Sequence, residues 1–179
     1  MSNNAVSDGK PMVRIRIPES TDSAALIELV QQFPTPSPAP VAKLTEMFLQ
    51  KLCDSAAYML VAEDELGLVG YVSGYRHAAF YAGGDTAWVD EILVSESFRG
   101  RDVGGLLMTA FEQRAAGDGC KLVALATAGA APFYLKRGYE TKADYYKKYL
   151  NNAEQAIAAD RPKTGSGRTA ALGGKQEIR

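Results

Sequence analysis

The stretch Trp88-Val-Asp-Glu-Ile-Leu-Val-Ser-Glu-Ser-Phe-Arg-Gly-Arg-Asp-Val-Gly-Gly-Leu-Leu-Met108 decides the fold of this chain. Its apolar first part predicts a buried strand from Trp88 to Val94. A short turn follows, and Arg99-Gly-Arg-Asp-Val-Gly-Gly105 then opens an apolar helix that we expect to run from Gly104 to about Ala116. A strand, a glycine-rich turn and a helix are therefore joined in one segment.

The turn has the chemistry of an anion site. Glycines at a helix start let a ligand approach the backbone, because no Cβ stands in the way. The first N–H groups of a helix have no intrahelical partner, and the helix dipole favours an anion there. Arg99 and Arg101 add positive charge beside these groups. The turn therefore predicts a site for pyrophosphate.

Two common phosphate motifs do not fit the chain. A nucleoside triphosphate loop needs Gly-Lys-Ser/Thr, which the sequence lacks. A dinucleotide fingerprint needs G-x-G-x-x-G after a first strand, whereas the glycines here are Gly100, Gly104 and Gly105 after a strand in mid-chain.

Two blocks together resemble the GNAT superfamily of N-acetyltransferases. Arg99-x-x-Asp102-x-Gly104 is similar to its Arg/Gln-x-x-Gly-x-Gly/Ala turn, although Asp102 lies where the family usually has a glycine. Farther along, the run from Ala131 to Tyr139 resembles the family's A-x-x-F-Y-x-x-x-G-F/Y signature. The resemblance extends over residues 12–150 and is nearest in look to the spermidine/spermine acetyltransferase group. The Asp102 carboxylate would either repel a pyrophosphate or cap the helix by accepting N–H bonds.

The resemblance implies an α/β (α+β) fold, with a mixed, twisted β-sheet flanked by helices and a splayed central strand pair. It also implies acetyl-CoA as co-substrate and no metal. The splay would leave Ile92, Leu93 and Val94 free to pair with pantetheine, and a backbone N–H at about Leu93 or Val94 would stabilise the oxyanion. The residues expected to hold the phosphates are Arg99, Gly100, Arg101, Asp102, Val103, Gly104 and Gly105.

Acetyl transfer to an amine also needs a base and an acid. Asp90 and Glu91 are the acids of the central strand, and alternation along a strand predicts that only one of them faces the acceptor. The resemblance favours Asp90, acting through water, with Glu91 as the alternative. It also makes Tyr134 the general acid for the thiolate, and the alternative is a packing residue, as expected for Phe133 beside it.

The remaining pattern predicts further strands and helices around this centre. We expect strands at 12–17, 122–127 and 142–150, a hairpin of 58–63 and 68–76, and helices after Ser20–Asp22, at 41–52 and at 132–137. The segment Pro34-Thr-Pro-Ser-Pro-Ala-Pro40 cannot remain helical and favours extended geometry. The family resemblance implies that it forms a semi-rigid rim over the acceptor site.

Composition argues against several classes of protein and predicts the boundaries of the domain. The 179 residues carry a net charge of −1, which argues against nucleic-acid binding, and the two cysteines, Cys53 and Cys120, form neither a metal cluster nor a disulfide framework. No signal peptide and no membrane span are predicted, so we expect a cytoplasmic protein. We expect a flexible N-terminus at 1–11, an N-acetyltransferase domain at 12–150 and a disordered tail at 151–179, which has few large apolar residues.

The predicted function is acetyl-CoA-dependent transfer of acetyl to a primary amine of a small molecule by direct attack. The alternatives are a non-catalytic acyl-CoA-binding regulatory module and a protein or peptide N-acetyltransferase. The family resemblance further implies a homodimer.

Overall fold

A computed structural model describes residues 12–33, 39–148 and 150. Its five strands form one sheet in the order β1-β2-β3-β4-β5, in which β1 to β4 are antiparallel and β5 runs parallel to β4. The strands are β1 Arg14–Arg16, β2 Ala57–Asp64, β3 Gly67–Ala79, β4 Gly84–Val94 and β5 Val123–Leu125. The helices are α1 Ser23–Val30, α2 Val41–Cys53, α3 Val103–Gly117 and α4 Ala131–Lys136.

Helix α3 covers one face of the sheet. Its buried side chains recur at helical spacing and include Val103, Leu107 and Phe111, which pack in one cluster with Tyr58 of β2 and Val89 of β4. An apolar stripe of this kind faces a core because its burial removes apolar area from water. This packing fixes the start of α3 beside the end of β4.

Helices α1 and α2 cover the opposite face. Leu26 and Leu29 of α1 and Phe48 of α2 pack against Tyr71 of β3 and Leu93 of β4. The two apolar clusters therefore lie on opposite sides of the sheet, as alternation of side chains along β3 and β4 requires.

A β-bulge interrupts the pairing of β3 with β4. Ser73 lies opposite Glu91 and the next residue, Gly74, lies opposite Val89, so Asp90 is an extra residue without a partner on β3. Gly74 permits the close approach of the strands, since a Cβ at this position would lie 2.0 Å from the carbonyl oxygen of Trp88. Such an extra residue shifts the alternation of side chains that follow it.

Strands β4 and β5 pair over a short stretch only. The parallel register joins Ala87 to Val123 and ends at Val89 and Leu125, whereas β4 continues to Val94. Beyond Val89 the side of β4 that faces β5 therefore has no strand partner among the described residues. This is the separation that the sequence analysis expected between the two strands.

Two expectations about strands were wrong. The strand expected at 142–150 is absent, since residues 142–148 are in neither helix nor strand and Tyr145 is 65% exposed. Alternation puts a lysine on each face of this run, so neither face is apolar enough to be buried. The strand expected at 122–127 covers only Val123–Leu125, and it is half-buried because it lies at the edge of the sheet.

The other elements agree with the sequence within a few residues. The helices expected after residues 20–22, at 41–52, at 104–116 and at 132–137 are α1 to α4, and the hairpin is β2 and β3. Most of the proline-rich segment, residues 34–38, and both expected flexible ends, 1–11 and 151–179, lie outside the described residues. The chain divides into two units between Tyr145 and Tyr146, and the site described below belongs to the first.

Candidate active site

The turn between β4 and α3 forms a pocket. A short 3-10 turn, Glu96–Phe98, is followed by Gly100 and Asp102 in left-handed conformation, and α3 then begins at Val103. The pocket has a volume of about 390 Å³. Its lining residues are Val94, Phe98, Arg99, Gly100, Asp102, Val103, Gly104, Gly105 and Phe133. The structure therefore brings together six of the seven residues expected to hold phosphates, and it adds two phenylalanines that the sequence analysis missed.

The two arginines of the turn lie differently. Arg99 is exposed, lines the pocket and donates from Nε to the carbonyl oxygen of Val94 at 3.3 Å. The guanidinium of Arg101 lies 4.8 Å from the ring centroid of Phe98, as a cation–π contact, and Arg101 is outside the lining. Arg99 is therefore the nearer cation for an anion in the pocket, because a guanidinium matches phosphate oxygens in geometry and charge.

Asp102 has an unusual backbone and an uncapped side chain. Its φ is +63°, and among the described residues it is the sole non-glycine with positive φ. It stands at the N-cap position of α3, but its carboxylate makes no capping hydrogen bond. The left-handed region favours residues without a Cβ, so a glycine, as in the turn that this segment resembles, would suit this position.

The Asp102 carboxylate instead lies over Gly105. A Cβ placed on Gly105 would be 2.2 Å from Oδ1 of Asp102, so the glycine leaves room for this side chain. A negative charge therefore lies over the first turn of α3, where the helix dipole favours an anion. The cradle fits an anionic ligand, and Asp102 is the group within it that such a ligand has to displace or tolerate.

The backbone at the end of β4 presents groups toward the gap beside β5. The backbone N–H of Ser95 donates to the carbonyl oxygen of Val69 at 2.9 Å, so Ser95 of the chain after β4 and Val69 of β3 form a hydrogen-bonded pair. Because hydrogen-bonded and non-bonded pairs alternate in an antiparallel ladder, Leu93 points its backbone groups toward β3. Ile92 and Val94 point theirs away from β3. Of the three residues expected to meet pantetheine, these two have the required direction.

Asp90 and Glu91 lie on the same face of the sheet, so the expectation that alternation along the strand separates them onto opposite faces was wrong. Asp90 Oδ2 is 3.4 Å from Lys51 Nζ of α2, and Glu91 Oε2 accepts a hydrogen bond of 3.0 Å from the hydroxyl of Tyr71. Both partners belong to the α1/α2 side. The reason is the bulge, because the extra residue Asp90 cancels one step of the alternation.

Lys51 is a residue that the sequence analysis missed. Its ammonium donates to Ser73 Oγ at 2.7 Å and lies 4.2 Å from the ring centroid of Tyr75, while only 18% of its side chain is exposed. A signal was available, since Lys51 follows the buried Phe48 by three residues and therefore shares its face of α2.

Tyr134 is held inside the α3 face. It is 7% exposed, and its ring packs edge-to-face on Phe133 and Tyr139 at 5.0 and 5.6 Å between centroids. Burial raises the pKa of its hydroxyl above the ordinary value, so the group keeps its proton at neutral pH. Among the described residues no hydrogen bond to this hydroxyl is found, and the hydroxyl is thus available to another partner.

A comparison with models of protein families identifies the family of this chain. A family model described as the acetyltransferase (GNAT) family matches residues 24–139. The chain belongs to this family. It is an acetyltransferase with the GNAT fold, a mixed five-stranded sheet flanked by helices. Comparison with curated protein sequences gives no match.

Several solved structures share the fold. Glucosamine-6-phosphate N-acetyltransferase from Arabidopsis thaliana is 21% identical with a TM-score of 0.70, and the match covers 78% of this chain and 99% of that one. A ribosomal-protein-alanine N-acetyltransferase from Brucella melitensis biovar Abortus 2308 is 22% identical with a TM-score of 0.63, and the match covers 78% of this chain and 99% of that one. A predicted acetyltransferase from Clostridium acetobutylicum, solved with acetyl-CoA, is 15% identical with a TM-score of 0.65, and the match covers 78% of this chain and 97% of that one. At these identities the likeness shows the fold alone.

Two further findings concern metal-binding side chains and membrane-spanning helices. Within residues 12–33, 39–148 and 150, no group of three or more His, Cys, Asp or Glu side chains could hold a metal ion. Of the helices described, none is long and apolar enough to cross a membrane.

Proposed function

We propose that this GNAT protein transfers the acetyl group of acetyl-CoA to a primary amine of a small molecule by direct attack. The observation that carries the proposal is the meeting of two features at the end of β4. The pocket of the glycine-rich turn lies there, and so does the stretch of β4 beyond Val89 that β5 leaves unpaired. An elongated ligand with an anionic end and amide groups fits both features.

The binding roles follow from this geometry. Arg99 and the N–H groups at the start of α3 would hold the phosphates, with Gly100, Gly104 and Gly105 giving them access. Arg101, Asp102 and Val103 complete the turn. The backbone groups of Ile92 and Val94 would pair with amides as a neighbouring strand does, and Leu93 supports them through β3. Acetyl-CoA would supply a thioester, and we assign its oxyanion to the N–H of Val94 rather than to Leu93, because Val94 N–H points into the gap.

We assign the base to Asp90, acting directly or through water, with Glu91 as the alternative. A protonated primary amine has a pKa of about 10.4, so it has to lose a proton before it attacks. Both carboxylates lie on the α1/α2 face. The carboxylate of Glu91 already accepts the Tyr71 hydroxyl. Asp90 is more exposed and has a cation as its partner, and another ammonium can replace that cation.

We assign the general acid to Tyr134. A thiol has a pKa of about 8.5 and a phenol about 10, so proton transfer to the leaving thiolate is uphill for the free groups. The raised pKa of buried Tyr134 makes this step steeper and ensures that the proton is present at neutral pH. Protonation in step with departure of the thiolate removes the difficulty.

Calorimetry of CoA binding at two salt concentrations tests the cofactor site. We expect affinity that falls as salt rises, because exposed charges are screened. Arg99→Ala should weaken binding and flatten the salt dependence, whereas Arg14→Ala on β1, at the other edge of the sheet, should change neither. Undetectable binding at millimolar CoA would overturn the proposal.

A panel of amines with a free-thiol readout tests the acceptor. The resemblance to the spermidine/spermine group puts polyamines first, and the acceptors named for the structural neighbours add glucosamine 6-phosphate and a peptide beginning with alanine. Turnover of a small amine supports the proposal, whereas turnover of the peptide alone would make the protein a peptide N-acetyltransferase.

A second candidate is a non-catalytic acyl-CoA-binding module. The observation in its favour is Asp102, which puts a negative charge into the phosphate cradle. CoA binding without turnover of any amine would support this candidate.

A further inference from the structure

A primary amine of the chain itself lies at the proposed base. Lys51 reaches from α2 to the sheet, where its Nζ is 3.4 Å from Asp90 Oδ2 and 2.7 Å from Ser73 Oγ. The ring of Tyr75 lies 4.2 Å below the ammonium. A carboxylate, a hydroxyl and an aromatic face are the groups that recognise a primary ammonium. Lys51 thus lies beside the proposed base and has the partners that suit an acceptor amine.

We propose that Lys51 is an internal acceptor, which this enzyme acetylates within its own chain. The inference rests on the proposed function and on Asp90 as base. It adds an acceptor that needs no diffusing substrate, because the nitrogen is already within hydrogen-bond distance of the group that takes its proton.

The step balances in protons and bonds. The Lys51 ammonium gives one proton to the Asp90 carboxylate, and the neutral nitrogen forms a bond to the carbonyl carbon of the acetyl group. The bond between that carbon and sulfur breaks, and the thiolate takes the proton of the Tyr134 hydroxyl. The acylated nitrogen loses its remaining extra proton to solvent, Tyr134 recovers a proton from solvent, and Asp90 returns its proton to solvent, so that one proton is released overall.

Acetylation would change the acceptor side of the site. The amide of an acetylated lysine carries no charge. Asp90 would lose its ion pair and Tyr75 its cation, so this face would become more negative. The modified enzyme would therefore bind cationic acceptors more tightly than the unmodified one.

Lys43 provides a matched control on the same helix. Its Nζ also pairs with a carboxylate, that of Glu46 at 3.0 Å, but its side chain is 54% exposed against 18% for Lys51. Spontaneous acetylation by a thioester follows exposure and should modify Lys43 first. Enzymatic acetylation follows the geometry of the site and should modify Lys51 first.

The experiment incubates the full chain with acetyl-CoA and no added amine, then quantifies acetylation at each lysine by mass spectrometry after digestion. We expect Lys51 to react about 10²-fold faster than Lys43, at the low end of the effect of a positioned base. The rate should be independent of protein concentration. Tyr134→Phe and Asp90→Asn should each slow the reaction at Lys51 and leave Lys43 unchanged, and Lys51→Arg should abolish the fast phase.

Several results would overturn the inference. The inference fails if Lys43 is acetylated as fast as Lys51, or if the rate of acetylation at Lys51 rises with protein concentration. It also fails if neither Tyr134→Phe nor Asp90→Asn changes the rate of acetylation at Lys51. If the protein binds CoA and acetylates an amine of the panel while Lys51 stays unmodified, this inference fails and the proposed function stands. If CoA does not bind, the proposed function itself fails.

Discussion

Replacement of Asp102 separates the charge of the phosphate turn from its backbone. Asp102→Asn removes the negative charge over the first turn of α3, keeps the size of the side chain and tolerates the positive φ. Two unit charges 4 Å apart interact by about 1 kcal/mol in water. Pyrophosphate brings about two charges to the carboxylate, so its removal should be worth roughly 1–2 kcal/mol at low salt, or a roughly 5- to 30-fold gain in CoA affinity.

Two further substitutions of Asp102 act as controls. Asp102→Gly and Asp102→Ala both remove the charge, so each should tighten CoA binding as Asp102→Asn does. They should differ in stability, because alanine at positive φ costs about 1 kcal/mol more than glycine. Calorimetry at two salt concentrations measures affinity, and urea unfolding measures stability. Unchanged or weaker binding in both the asparagine and the glycine variant would show that the carboxylate does not face the phosphates.

Four more perturbations test the site and the fold. Tyr134→Phe should keep CoA binding and Tm and lower turnover by about 10²–10⁴-fold, and full activity would assign the proton to water. Asp90→Asn should lower turnover most near neutral pH, with partial recovery at high pH, where more of the acceptor amine is neutral. In the same pH–rate profiles Glu91→Gln should lower turnover less, and the reverse order would make Glu91 the base. Gly74→Ala should lower the free energy of unfolding by about 2–3 kcal/mol in urea titration, because the new Cβ meets a backbone carbonyl oxygen at 2.0 Å, and a loss near zero would show that the bulge relaxes. Deletion of 151–179 should leave Tm nearly unchanged and light scattering should give a dimer with and without the tail, whereas a drop of several degrees or a changed mass would show that the tail docks.

Much of the fold could be predicted because hydrophobic period and turn residues act locally. Helix α3 begins within one residue of the prediction, since the apolar spacing after Gly104 continues without a break. The β2–β3 hairpin follows from two apolar runs around a polar turn with Gly67. The glycine-rich turn could be found for the same reason, because its residues are consecutive.

The side of the candidate site that α1 and α2 cover could not be predicted, because it depends on contacts between residues distant in sequence. Lys51 meets Ser73 and Asp90, which lie 22 and 39 residues away along the chain. The sequence around Asp90 contains no pattern that indicates a bulge. The residue that could have indicated it, Gly74, lies on the other strand, β3. Simple alternation therefore assigned Glu91 to the wrong face.

One irregularity accounts for both halves of the site. The last residue of β4 that pairs with β5 is Val89, and the next residue, Asp90, is the extra residue of the bulge. A bulge bends its strand and increases its twist, so β4 turns away from β5 at this point. The same step brings Glu91 to the face of Asp90 and directs the backbone of Ile92 into the gap that opens. One extra residue in β4 would therefore set up, side by side, the proposed proton transfer at the acceptor and the proposed strand-like pairing with the co-substrate.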